Sequence, residues 1–138
     1  MTSYSAVVTG YFTPGTDQIA IEIDAPANTI IKIKKIRITH SDGQHANVED
    51  SYKALDLVIQ SVGTTGGSLY TPIEVNDSAT VSKCIVTVGP APKGTIFQTI
   101  DTISIHAGTD FVWQAADEDD KIVIQPGQIF AVVVNAAA

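Results

Sequence analysis

The sequence predicts an all-β fold: a single-domain antiparallel β-sandwich of about eight or nine strands. Three observations carry that prediction. Apolar and polar residues alternate with period two, as in the QIAIEID run at Gln18–Asp24, and Ile and Val dominate the apolar positions. Gly, Pro, Asn and Asp clusters punctuate these runs at the spacing of short strands. No stripe of period 3.6 competes with the alternation.

The elements follow in order. Ala6–Phe12 is the first candidate strand, closed by the turn cluster Thr13-Pro14-Gly15-Thr16-Asp17. In Gln18–Asp24, alternation places Ile19, Ile21 and Ile23 on one face, with Glu22 and Asp24 on the other. Thr29–His40 is long, and its apolar pairs Ile31/Ile33 and Ile36/Ile38 are out of phase by one residue. A bulge at Lys34-Lys35 restores one apolar face and keeps Lys32, Lys34 and Arg37 out of the core, where they would be costly. Ser41–Tyr52 is polar and aperiodic, hence a loop. Lys53–Ser61 is a strand with Leu55, Leu57 and Ile59 opposite Asp56 and Val58.

Gly63–Gly67 is a flexible turn, and Ser68–Val75, interrupted by Pro72, is a short edge segment. After Asn76-Asp77-Ser78 comes a strand at Thr80–Val88, then a rigid loop from Gly89 to Gly94. Ile96–His106 sets Ile103 and Ile105 together, and Phe111–Ala115 sets Phe111 with Trp113 as core anchors. Asp117–Lys121 is an acidic loop. Ile122–Gln125 and Ile129–Asn135 are read as a closing pair around Pro126-Gly127, since Pro presets φ at the first turn position and Gly supplies positive φ at the next. Long connections favour Greek-key crossovers, and a jelly roll accommodates them while leaving few edges.

Composition bounds the function. The chain has 138 residues, 44% of them hydrophobic, with 15 Asp and Glu against 8 Lys and Arg for a net charge of −7. That balance disfavours broad contact with phosphate backbones or anionic lipid. No apolar run reaches the ~18 residues of a membrane helix, and the N-terminal residues do not read as a secretory signal. Cys84 is the only cysteine, so no internal disulfide forms; in KCIVTV it shares a face with Val86 and Val88 and reads as a core thiol.

Catalytic patterns are missing: there is no G-x-S-x-G elbow, and Gly63–Ser68 lacks the end of a phosphate loop. His40 and His45 lie near Asp42, Glu49 and Asp50, with His106 further on. A cupin-like metal site would draw on these groups, but their spacing matches no strong ligand signature. The Asp117–Asp120 acids lack the EF-hand pattern and read as a solvated turn. No cofactor or metal is expected. Lys32, Lys34, Lys35 and Arg37 gather half of the cationic residues within six positions and read as a solvent-facing strand surface suited to an acidic protein partner. With Tyr4, Tyr11, Phe12, His40, His45 and Tyr52 they form the candidate interface set, since tyrosine is favoured at interfaces.

Three segments together resemble small virion proteins of tailed bacteriophages: Ile36–His40 with Ser41-Asp42-Gly43; Ala54–Ser61 through Gly63–Gly67, Thr71-Pro72 and Asp77-Ser78 to the Thr80–Val88 strand and Gly89-Pro90; and Phe111–Trp113 into Ile122–Asn135 with its I-x-P-G-Q turn. The resemblance implies a jelly-roll capsid decoration (cement) protein, trimeric, made in the host cytoplasm and carried on the capsid surface. Its partner would be the major capsid protein or another virion protein, with no nucleic acid or membrane bound directly and no catalysis. The alternatives are a receptor- or glycan-binding head of a tail fibre and, further off, a cupin-like metalloprotein.

Overall fold

The computed structural model describes residues 4–7, 17–39, 52–74, 84–106, 110–117 and 120–134, and every strand pairing within them is antiparallel. The strands are β1 (Tyr4–Ser5), β2 (Gln18–Asp24), β3 (Ile31–Ile33), β4 (Lys35–Thr39), β5 (Tyr52–Val62), β6 (Ser68–Tyr70), β7 (Ile73–Glu74), β8 (Ile85–Pro92), β9 (Thr95–His106), β10 (Asp110–Gln114), β11 (Ile122–Ile124) and β12 (Ile129–Val134). These twelve exceed the expected eight or nine partly because a break at Lys34 and another at Thr71-Pro72 divide segments that read as single runs. The strand expected at Ala6–Phe12 is not seen in its described part: Ala6 and Val7 lie outside any strand, residues 8–12 lie outside the described set, and the first strand is instead Tyr4–Ser5, paired with Glu74 and Ile73.

Six strands form an open main sheet in the order β6-β8-β2-β12-β5-β9, and three two-stranded ladders, β1-β7, β10-β4 and β11-β3, accompany it. Among the described residues the body is sandwich-like, with no closed barrel. All six residues of β12 are buried, because it lies between β2 and β5 with both of its faces covered. An unbroken apolar run such as IFAVVV is what a strand buried on both sides requires.

This placement corrects the expected closing pair. β11 pairs with β3, not with β12. The turn itself has the expected chemistry: the Gln128 N–H donates to the Gln125 carbonyl at 3.0 Å, and Gly127 has φ of 82°. It leads the chain from one layer to the other instead of joining two paired strands. Backbone bonds between Ala25 and the turn (Ala25 N–H to Gln128 O, Gly127 N–H to Ala25 O) hold it in place.

The larger core lies between the main sheet and the β10-β4 and β11-β3 ladders. Leu55, Leu57, Ile59, Ile105, Phe130, Val132 and Val134 face Ile33 and Ile124, with Ile31, Ile36, Ile38, Phe111, Trp113 and Ile122 packed around them. A smaller cluster of Ile19, Val58, Ala91, Ala131 and Val133, with Ile96 against it, is separate. Ala131 and Val133 alternate with Phe130 and Val132, so this cluster occupies the opposite face of the sheet. Here the strict alternation expected of Gln18–Asp24 fails. Between β2 and β12 the register advances from Ile21↔Val132 to Ile19↔Val133, so Ala20 is an extra residue on β2. That bulge turns Ile19 to the face opposite Ile21 and Ile23.

Two further expectations change. Gly89 to Pro92 is not a loop but the end of β8, which continues through a cis Gly89-Pro90 bond to pair Ala91 with Ile19 and Pro92 with Gln18. Cys84 lies just before β8 and is half-buried, not a fully buried core thiol.

Two connections, residues 63–67 between β5 and β6 and residues 93–94 between β8 and β9, join strands that are not neighbours in the sheet, and the hydrogen bonds of Thr64 and Gly94 set them over the second face. The buried Glu22 carboxylate and the fully buried Gln60 amide stand beneath them. Gln60 Nε2 donates to Glu22 Oε1 at 2.6 Å, and the Thr64 N–H donates to the same oxygen at 2.8 Å. The Gly94 N–H donates to Gln60 Oε1 at 2.9 Å. These bonds meet the requirement that buried polar groups find partners. Outside them, Lys93 and Asp17 form an ion pair at 2.9 Å.

Candidate interaction surface

The cationic strand is built as its phase shift predicts. Ile31 and Ile33 of β3 and Ile36 and Ile38 of β4 all turn toward the core, while Lys32, Lys34, Lys35 and Arg37 are exposed. Lys34 is the residue between the two strands that absorbs the offset. Hydrogen bonding continues past it, since the Ala115 N–H donates to the Lys34 carbonyl at 2.9 Å. The break coincides with a change of partner: β3 pairs with β11 and β4 with β10.

Cross-strand register completes the outer face. Lys32 lies opposite Val123, Lys35 opposite Gln114 and Arg37 opposite Val112. Directly opposed residues share a face, so two exposed valines, Val112 at 51% and Val123 at 40%, interleave with the cations. The result is an amphipathic strip on the outside of the smaller layer, with Phe111 and Trp113 on its inner side as expected.

The other expected interface residues are not brought to this strip by anything described. Tyr4 is half-buried in the short β1-β7 ladder, and Tyr52 opens β5 opposite His106. Tyr11, Phe12, His40 and His45 lie outside the described residues, as do Asp42, Glu49 and Asp50 of the polar loop and Glu118 and Asp119 of the acidic one. Among the described residues no group of three His, Cys, Asp or Glu is placed to hold a metal ion, and no helix is long and apolar enough to cross a membrane.

Sequence reasoning missed two features. Phe97, at the β9 edge, is 67% exposed beside a shallow cavity of about 170 Å³ that Ile59, Gln60, Ser61, Gly127 and Gln128 also line. The register between β5 and β9 slips between Leu57 and Val58, between Ile59 and Gln60, and between Gln60 and Val62. These slips break the alternation that would have assigned Phe97 a face. The Glu22–Gln60 pair was hidden for another reason: both residues read as the polar side of half-buried strands, and only the crossing connections bury them.

Compared with known proteins, the chain matches no protein-family model, no curated protein and no solved structure.

Proposed function

We propose that this protein is a non-enzymatic phage structural component, a capsid decoration protein that binds the assembled head shell and reinforces it. The jelly-roll assignment and the trimeric state belong to the same reading. The observation that carries it is the strip of Lys32, Lys34, Lys35 and Arg37, exposed along β3, the break at Lys34 and β4 on a chain of net charge −7. A rigid antiparallel body that concentrates cations on one outer layer is suited to an acidic partner surface, and like charges elsewhere disfavour other approaches. Val112 and Val123 add apolar contact area within the same strip.

The tail-fibre alternative asks for an aromatic platform that holds a glycan. Trp113 packs against the core instead, which favours the decoration reading. Co-sedimentation with purified phage heads tests the proposal. Saturable binding at a fixed copy number per shell is the expected result, and free protein remaining in the supernatant at all concentrations would overturn it.

A further inference from the structure

We propose that Glu22 and Gln60 form a latch that couples the two connections crossing the second face of the main sheet, so that both open and close as one unit. The inference does not depend on the decoration reading. One carboxylate oxygen, Glu22 Oε1, accepts from both Gln60 Nε2 and the Thr64 N–H. The far end of the same Gln60 amide accepts from the Gly94 N–H. A continuous path of three hydrogen bonds thus runs from the β5–β6 connection through two buried side chains to the β8–β9 connection.

The side chains have little room to act separately. Gln60 is fully buried and Glu22 is 5% exposed. If one connection lifts, the buried carboxylate or amide loses a partner without gaining water, and an unsatisfied buried polar group is costly. That penalty falls on the remaining bonds, so release of Thr64 weakens the hold on Gly94. The two connections also touch directly: a Cβ built on Gly94 would lie 2.9 Å from the Gly63 carbonyl carbon. Beneath them lie Ile19, Val58, Ala131 and Val133, an apolar face that a joint opening would expose to solvent. The device is a strap with a buried fastening, beside the more exposed Lys93–Asp17 ion pair on the β8–β9 connection, and it gives the fold a second, sub-global state.

Native-state hydrogen exchange followed by NMR tests the coupling. In the unaltered protein the Thr64 and Gly94 amides should exchange with the same dependence on low denaturant, ahead of the β12 ladder amides. Glu22→Gln keeps the shape and an acceptor oxygen but removes the charge. Protection at both amides should then fall together by about tenfold, a loss in the range of a charged hydrogen bond, with a smaller change in β12. Glu22→Leu should enlarge the joint loss. Should it fail to fold, the Glu22→Gln result alone decides. Loss at Thr64 with Gly94 unchanged, or no loss at either, would overturn the latch.

Discussion

Gly94 and Gly127 both sit in connections, yet they are glycine for different reasons. A Cβ on Gly94 would lie 1.8 Å from the Val62 carbonyl oxygen, so backbone must move to admit any side chain. Gly127 has φ of 82° and nothing within 4 Å of a built Cβ, so only the left-handed conformation opposes a side chain there. Gly127→Ala should therefore cost about 1 kcal/mol. Gly94→Ala should cost about 2–3 kcal/mol, as overpacking does, and should also disturb the N–H that Gln60 holds. Urea midpoints at constant m-value measure both. Equal losses, or the larger loss at Gly127, would contradict the close approach. The turn glycine was legible in the sequence, because Pro-Gly is a local signal. Gly94 was not, because its neighbour Val62 is distant in sequence. Glu22 is the same case: alternation set it opposite Ile21 and Ile23, but nothing local says that connections from elsewhere cover that side too.

At the scale of elements, patterns that depend on one strand were legible and pairings were not. The offset between Ile31/Ile33 and Ile36/Ile38 required a bulge at Lys34-Lys35, and the strand breaks there. The IFAVVV run was recognised as β, but its central place between β2 and β5 was not, since a strong turn before it suggested a hairpin with Ile122–Gln125. Turn chemistry fixes the reversal of the chain; the partner is chosen by burial of both faces of β12 against β2 and β5. The candidate surface divides likewise: its cations were foreseen, while Val112 and Val123 join them only through the β4–β10 and β3–β11 registers. A prediction belongs to this element. Lys35→Glu with Arg37→Glu reverses two outward charges and removes no core contact, so stability should change by less than about 1 kcal/mol. Under the proposed decoration role, binding to heads should weaken by at least about tenfold, as expected when like charges are juxtaposed. Unfolding curves and co-sedimentation separate the two effects. Retained binding by the folded double variant would remove this strip as the contact surface.

For the whole molecule, the distribution of charge matters more than its total. Half of the Lys and Arg residues lie within six positions on one outer layer of an otherwise acidic chain. Attraction between such a layer and an acidic shell acts across solvent and falls with ionic strength, because the screening length shrinks from about 10 Å at 0.1 M to about 3 Å at 1 M. The fold rests instead on buried apolar faces on both sides of the main sheet, which screening does not weaken. Salt should therefore separate assembly from stability. Under the proposed decoration role, raising it from about 0.1 M to about 1 M should release the protein from heads while leaving its urea midpoint unchanged or higher. A trimer would shift the release to higher salt by engaging several strips at once, and the mass measured in solution tells which form is present. Head binding that persists unchanged at about 1 M salt would assign the contact to apolar packing through residues such as Val112 and Val123, not to the cations beside them.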